Sequence, residues 1–168
     1  MPAIDFKKQE KGLYLPPAQP MLVDVPEMSF LMVDGTGDPN STAFQDAVSA
    51  LYSMSYAIKM LPRKGIVPEG YFEYSVLPLE GLWWLADGGA FSFTARGNWA
   101  WTVMIRQPVF VTAGLVAELL PAVMKKKPNR ALDLLRYEGF AEGLCVQMMH
   151  TGPYATEPQT VERMNAFI

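Results

Sequence analysis

A pattern that occurs twice constrains the fold of this chain more than any other feature of its sequence. A shift of 115 residues places the apolar segment 30–33 on segment 145–148, and it places Gly37 on Gly152. Each apolar segment has the composition of a strand, and each glycine follows at a point where the chain must turn. Repetition of this kind indicates that one supersecondary unit is used twice.

A helix is predicted after each glycine turn. Thr42 and Gln45 have the spacing of a capping box, and Thr156 and Gln159 repeat that spacing after a one-residue gap. Two further strands are expected after the first helix, whereas the chain ends inside the second helix, at Ile168. The prediction is therefore that the second copy lacks the two strands that complete the first.

Length, composition and charge exclude several classes of protein. The chain has 168 residues, of which 50% are hydrophobic, so it is of a size for one domain with a substantial core. A net charge of −3 argues against nucleic acid as the main partner, because phosphate binding needs a basic surface. No apolar run approaches the roughly 18 residues of a membrane span, and residues 1–12 lack the apolar region of a secretory signal. With its single cysteine the protein is expected in the cytoplasm, away from membranes.

Strands are predicted from apolar alternation. Residues 1–20 are polar and then proline-rich, and we expect them to form an arm that lies across the domain. Residues 21–33 carry branched side chains and are predicted to be a strand interrupted at Pro26. Alternation or apolar composition also predicts strands over residues 98–107, 132–140 and 143–149.

Helices are predicted from apolar residues at helical spacing. The first begins near Thr42 and ends before Pro62, because proline cannot continue a helix. The second covers residues 112–127, and Pro121 inside it predicts a kink or a break. The third begins after Tyr154 and continues to the end of the chain.

The segment 71–84, YFEYSVLPLEGLWW, has the greatest concentration of reactive and aromatic side chains. Residues 71–76 are rich in aromatic and branched types, which predicts a strand. Strand alternation would place Tyr71 and Glu73 on one face and Tyr74 on the other. One face could then join a core while the other offers a carboxylate among aromatic groups.

The second half of this segment predicts a bend that carries a carboxylate. Pro78 is expected to end the strand and Gly81 to allow a tight turn, with Glu80 between them and directly before Trp83 and Trp84. A carboxylate held among large aromatic rings suits a cationic or flat apolar ligand. Partial burial also raises the pKa of a carboxylate toward neutrality, where it becomes a useful base. The alternative is that the aromatic residues fill a core and the glutamates are solvated.

Other chemistries have weaker support. The glycine-rich turn 34–40 lacks the lysine of a phosphate-binding loop and the final glutamate of a calcium loop, which favours a structural turn. One histidine and one cysteine cannot supply a closed zinc site, so neither a metal nor another cofactor is expected. Cys145 and His150 would face opposite sides of one strand, which argues against a Cys–His nucleophile. His150 could instead border a pocket or lie on the surface.

Four stretches resemble the GyrI-like small-molecule-binding proteins, namely residues 5–40, 70–84, 104–112 and 143–158. The closest similarity is to stand-alone members with a PLEGLWW motif, which is residues 78–84 of this chain. The resemblance covers nearly the whole chain, and this motif is its most specific part.

The resemblance implies an α+β fold of duplicated β-α-β-β units, SHS2-like, with antiparallel sheet and two helices around a central groove. One domain, 1–168, would then comprise a first unit over about 20–110, a connecting helix over about 112–127 and a partial second unit over about 132–168. Family members continue into two more strands that carry another pocket carboxylate. Because this chain ends before them, an open groove or a partner that completes it is expected.

The resemblance also implies a function. Stand-alone members similar to this chain hydrolyse cyclopropane-bearing, DNA-alkylating compounds, which makes Glu80 and Glu73 the candidate catalytic bases. The expected partner is a hydrophobic or cationic small molecule, and a homo-oligomer is left open. The alternative is a non-enzymatic multidrug-binding sequestrant or ligand sensor. The candidate ligand-binding residues are Tyr52, Tyr71, Tyr74, Trp83, Trp84, Trp101, Met104, Met149, His150 and Tyr154.

Overall fold

A computed structural model describes all residues, Met1–Ile168, as a mixed α+β fold with antiparallel sheets. The strands are β1 (Met21–Val25), β2 (Met28–Thr36), β3 (Leu79–Leu85), β4 (Trp99–Arg106), β5 (Arg136–Phe140) and β6 (Gly143–Gln147). The helices are α1 (Phe6–Gln9), α2 (Lys11–Tyr14), α3 (Thr42–Lys59), α4 (Ala113–Lys126) and α5 (Glu157–Phe167). The strand interruption at Pro26, the end of the first long helix before Pro62 and the helix after Tyr154 are thereby confirmed.

Four strands form the main sheet in the order β3-β4-β2-β5, with every neighbouring pair antiparallel. In its register Val33 lies opposite Val103, and Glu80 lies opposite Met104. Alternate side chains point to opposite faces of a strand, so these two pairs belong to opposite faces of the sheet. We call the face with Val33 and Val103 the helix face and the face with Glu80 and Met104 the open face.

The helix face carries the main hydrophobic core. Leu31, Val33, Trp101, Val103 and Ile105 from the sheet are fully buried, and they belong to one cluster with residues of α3 and α4. The helix α3 contributes its apolar stripe at helical spacing, which consists of Ala47, Ala50, Leu51, Met54 and Ile58. Apolar periodicity predicted Ala47, Leu51 and Ile58 of this stripe but not Ala50 and Met54.

A second, two-stranded sheet pairs β1 with β6. Val23 lies opposite Cys145 in this pair, and Met21 lies opposite Gln147. Val23, Cys145 and Gln147 face the open face of the main sheet, where they share a cavity with Phe30. The small sheet therefore covers one end of the open face and leaves the other end uncovered.

The N-terminal arm, residues 1–20, lies across the domain as predicted. Ile4 makes a parallel bridge with Tyr74, with its N–H donating to Glu73 O at 2.8 Å and its carbonyl accepting from Ser75 N at 2.9 Å. Further along, the N–H of Met149 donates to Pro17 O at 2.9 Å. The arm is thus held at both ends.

The strand predicted over residues 71–76 is wrong, because only Tyr74 in this segment makes a bridge. The strand is instead β3, which contains the PLEGLWW motif and pairs with β4 along its whole length. Pro78 precedes the strand, where its missing N–H removes no ladder hydrogen bond. Gly81 lies within the strand rather than in a bend, and a Cβ there would come within 2.7 Å of Trp83 Nε1. The glycine makes room for the indole ring.

Two predicted helix caps also need correction. Ser41, not Thr42, caps α3, since its Oγ accepts from Phe44 N at 3.4 Å. Thr156 does not cap α5, because its hydroxyl donates to Pro153 O at 2.9 Å. Thr112 caps α4 as predicted, and α4 continues without a break through Pro121. The backbone geometry decides which Ser or Thr hydroxyl accepts from the free N–H groups of a helix. A capping-box spacing in the sequence therefore locates a helix start only to within one residue.

The last two predicted strands are shorter than expected. Residues Arg130–Leu134 form a turn of 3₁₀ helix, so β5 begins only at Arg136. Asn129 caps this turn by accepting from Ala131 N at 2.9 Å. The other strand, β6, ends at Gln147.

Candidate functional site

A cavity of about 120 Å³ lies between the small sheet and the open face of the main sheet. Its walls come from four parts of the chain, namely the N-terminal arm, β1 with the start of β2, β3, and the β5–β6 hairpin. Most of the lining side chains are hydrophobic. They are Leu13, Tyr14, Val23, Val25, Met28, Phe30, Glu80, Phe140, Glu142, Cys145, Val146 and Gln147.

Glu80 is the acidic group on the main-sheet side of this cavity. The alternation of β3 directs its half-buried side chain to the open face. Burial, with a smaller contribution from the negative charge of Glu142, raises the pKa of Glu80 to about 7. The positive charge of Arg106 opposes this shift. At neutral pH the carboxyl is therefore divided between its protonated and ionised forms, as a general base requires.

Arg106 connects the open face to the N-terminal arm. It lies on the same face of β4 as Met104, the residue opposite Glu80, so Glu80 and Arg106 are diagonal neighbours across the strand pair. The guanidinium binds both carboxylate oxygens of Glu10, with Nη2 donating to Oε1 at 3.3 Å. Its Nη1 also donates to the hydroxyl oxygen of Tyr14 at 3.0 Å. Burial outweighs this hydrogen bond and raises the pKa of Tyr14.

The opposite wall of the cavity carries Glu142 and Cys145. The thiol of Cys145 donates to Glu142 Oε2 at 3.5 Å. Burial, and then this hydrogen bond, raise the pKa of Cys145. The thiol is thus kept protonated, and Glu142 places a second negative charge close enough to influence Glu80.

Two of the sequence-predicted residues, Met104 and Trp84, share the open face with Glu80. Met104 is buried beside Phe30 and Met32, and Leu82 packs against this cluster. Trp84 follows Leu82 on the same face of β3 and is 44% exposed. The open face therefore runs from the carboxyl of Glu80, past apolar side chains, to an accessible indole.

The other two predicted tryptophans lie on the helix face. Trp83 stacks on Phe44 of α3 with ring centroids 5.6 Å apart. Trp101 meets the same ring edge-on at 5.0 Å and is only 1% exposed. Trp101 is therefore a core residue here, and the three tryptophans do not converge on one space.

Glu73, Tyr71 and Tyr74 also lie away from the cavity. Tyr71 donates its hydroxyl to Glu73 Oε1 at 3.2 Å, and Glu73 is exposed. Tyr74 is buried at 1% exposure, where Tyr71 and Phe110 pack around it. Burial raises the pKa values of both tyrosines. The structure separates the two candidate bases, and it places only Glu80 in the cavity.

The remaining predicted residues are scattered. His150 uses both ring nitrogens locally, with Nδ1 2.7 Å from Thr160 Oγ1 and Nε2 3.0 Å from Pro153 O. Tyr154 is 86% exposed, and Met149 is half-buried next to the arm. Tyr52 stacks on Tyr56 along α3, with ring centroids 6.4 Å apart.

The residues that sequence reasoning missed are Glu10, Tyr14, Arg106 and Glu142. Arg106 could have been found, because alternation along β4 places it on the face of Met104. The other three come from segments far away in sequence, and no local pattern connects them with Glu80.

Two further findings concern metal ligands and membrane-spanning helices. No group of three or more His, Cys, Asp or Glu side chains is arranged to hold a metal ion. None of the helices combines the length and the apolar character that crossing a membrane requires.

Solved structures closely similar to this fold come from Listeria innocua. An uncharacterised conserved protein superposes with a TM-score of 0.91 at 44% identity, over 98% of this chain and 79% of that one. A protein described as a hydrolase gives a TM-score of 0.87 at 43% identity, again over 98% of this chain and 79% of that one. A hydrolase encoded by lin2189 gives 0.90 at 43% identity, over 99% of this chain and 80% of that one.

A comparison of the sequence with family models identifies the family. Residues 18–168 match the GyrI-like small molecule binding domain. No curated protein matches the chain. Because the match covers nearly the whole sequence, the chain belongs to the GyrI-like family of small-molecule-binding domains.

Proposed function

We propose that this protein binds a flat, hydrophobic or cationic small molecule along the open face and hydrolyses a strained electrophilic ring in it, with Glu80 as general base. The observation that carries the proposal is the position of Glu80, whose pKa of about 7 arises in an apolar cavity between the two sheets. The description of two similar structures as hydrolases supports the chemistry. The family match supports the binding of a small molecule.

The size of the cavity decides how a ligand would lie. About 120 Å³ is less than the roughly 300–1,000 Å³ of a drug-sized site, so only one end of a flat ligand fits beside Glu80. The rest would extend over Leu82 toward Trp84, whose exposed indole can stack on an aromatic ring. A cationic ligand would be favoured by the ionised form of Glu80.

The proposed reaction is the addition of one water molecule to a cyclopropane-bearing substrate. Glu80 takes a proton from water, and the water oxygen forms a bond to a ring carbon. One carbon–carbon bond of the ring breaks, and its electron pair passes to the remainder of the substrate, which is then protonated. Glu80 returns its proton to solvent or to that group. General-base assistance of this kind contributes roughly 10²–10⁴-fold, and ring strain supplies the driving force.

We also infer that the chain is one domain built on a duplicated unit. The first copy corresponds to β2-α3-β3-β4, and the second begins with β6 and α5. The shift of 115 residues that relates segment 30–33 to segment 145–148 supports this assignment, because these segments lie in or directly beside β2 and β6. In this arrangement the cavity lies where the sheets of the two copies meet.

The test is a tryptophan fluorescence titration with an aromatic cyclopropane-bearing alkylator, followed by mass spectrometry of the recovered compound. The tryptophan fluorescence of the wild type should be quenched, and the recovered compound should be heavier by one water. Glu80→Gln should retain binding and lose about 10²–10⁴-fold in turnover. Glu73→Gln is the matched control, since it removes a carboxylate outside the cavity, and it should turn over like the wild type.

Three outcomes would count against parts of the proposal. Turnover by Glu80→Gln equal to that of the wild type would remove Glu80 as the base. Quenching by the wild type with the compound recovered unchanged would identify a sequestrant or sensor, the non-enzymatic alternative. Absence of quenching would contradict a binding surface that includes Trp84.

A further inference from the structure

The N-terminal arm contributes to the candidate site although residues 1–17 lie outside the match to the family domain. Leu13 and Tyr14 of the arm form one wall of the cavity. The amide of Gln147, on the opposite wall, donates to Gly12 O at 2.6 Å and so ties the arm to β6. The arm is therefore placed to influence chemistry at Glu80.

One cation faces Glu80, and it is Arg106. The other charged or titratable groups that surround Glu80 are neutral or acidic. They are Tyr14 on the arm, Glu142 in the turn between β5 and β6, and Cys145 on β6, while Glu10 of the arm is bound to Arg106. Arg106 makes no ion pair with Glu80, its diagonal neighbour, and both of its terminal nitrogens donate to other groups: Nη1 to Glu10 and Tyr14, and Nη2 to Glu10.

We propose that Glu10 is a positioning residue for the candidate site. From the arm, Glu10 binds Arg106 and so prevents the guanidinium from pairing with Glu80. The inference rests on the role of Glu80 in the proposed function. While the ion pair between Glu10 and Arg106 is formed, the carboxylate of Glu80 is free to accept a proton from water. Without it, the side chain of Arg106, which is only 13% exposed, still has Glu80 as its diagonal neighbour across the β3–β4 pair.

The consequence is a change in the ionisation of Glu80 that does not depend on any ligand. An opposite charge within about 4–6 Å lowers the pKa of a carboxyl by roughly 1–3 units. In Glu10→Gln we therefore expect the titration midpoint of Glu80 to fall by about one unit. In Arg106→Gln the cation is gone while Glu10 and Glu142 remain, so the midpoint should rise above that of the wild type, in the opposite direction.

The experiment is an NMR pH titration of the full chain with ¹³C-labelled glutamate carboxyls. The Glu80 signal is assigned by its loss in Glu80→Gln. Glu118→Gln is the control, because Glu118 is exposed on α4 on the other side of the main sheet. The Glu118→Gln variant removes the same formal charge as Glu10→Gln, and its Glu80 midpoint should equal that of the wild type.

A midpoint in Glu10→Gln equal to or above that of the wild type would overturn the inference. If Glu10→Gln does not fold, Arg106→Gln decides, and an unchanged or lowered midpoint there would overturn it equally. Where the alkylator is turned over, the acid limb of kcat/KM against pH should move with the midpoint in each variant. Because the titration needs no substrate, absence of turnover would contradict the proposed function and leave this test intact.

Discussion

The two faces of the main sheet are built from the same strands and have very different surroundings. On the helix face, every central side chain of β4 is apolar and belongs to one core cluster with residues of α3 and α4. On the open face, the same strands carry Glu80, Arg106 and Thr102 among methionines and Phe30. The difference shows that strand alternation separates a packed core from a partly open polar surface within single strands, so neighbouring residues of one motif can have entirely different surroundings.

The PLEGLWW motif illustrates the separation. Its two tryptophans point to opposite faces, with Trp83 on Phe44 of the core and Trp84 on the open face. Glu80 lies on the face of Trp84. A motif that looks like one cluster of aromatic residues around a carboxylate is therefore divided by the sheet, and only Trp84 shares the face of Glu80.

The largest effect expected from the comparison is loss of stability on the helix face. Trp101→Ala removes a fully buried indole and should cost about 3–5 kcal/mol of unfolding free energy, measured in denaturant. Trp101→Phe, which keeps most of the packing, should bind the alkylator with unchanged affinity. Weaker binding by Trp101→Phe would place Trp101 in the site, as the sequence had predicted.

The next effect concerns pH and the open face. Because folding raises the pKa of Glu80 from 4.5 to about 7, the native state holds more protons than the unfolded state between these values. The contribution of Glu80 to stability is therefore complete below pH 4.5 and decreases as pH rises to about 7. Glutamine resembles the protonated form, so Glu80→Gln should gain stability over the wild type by up to about 3 kcal/mol at pH 8 and little at pH 4.

Chemical denaturation at the two pH values measures this difference. Glu73→Gln serves as the reference, since Glu73 is exposed. A constant stability difference between Glu80→Gln and the wild type at both pH values would show that the fold does not penalise the ionised Glu80.

A smaller effect is expected from the exposed indole. Trp84→Ala should weaken binding of the alkylator by about 0.5–1.5 kcal/mol, the usual contribution of an aromatic stacking contact, with little change in stability. Isothermal titration at one pH gives the affinity. Trp83→Phe is the matched control on the other face, and an equal loss of affinity in both variants would contradict the division of the motif.

The smallest effect is predicted at the uncovered end of the open face. Arg136 pairs there with Asp34 and with Glu138, and its Nε lies 3.3 Å from Glu138 Oε1. These side chains are partly exposed, so Arg136→Gln should change the free energy of unfolding by no more than about 1 kcal/mol. A markedly larger loss in thermal unfolding would show that this end carries a structural role comparable to that of the helix face.

Much of the local structure was predictable. Apolar periodicity identified α3, α4, β2 and β4, since the helical and strand repeats are properties of the local chain. Pro26 and Pro62 marked true boundaries because proline lacks the N–H that a ladder or helix needs. The strand predicted over residues 71–76 is absent, because strand formation needs a partner that the local sequence does not show. The aromatic residues of this segment pack on Phe110 and the arm without a sheet partner.

For this protein the sequence by itself determined the family, the α+β class, the main elements and the candidacy of Glu80. Only the tertiary structure decided that β3 is the edge strand beside β4 and that Glu73 and Trp101 lie away from the cavity. It also decided that Tyr14 borders the cavity while Glu10 binds Arg106. The physical reason is that secondary structure follows from neighbours a few residues away. Burial and charge at Glu80, by contrast, depend on Arg106, Glu142 and the arm, which only long-range pairing brings together.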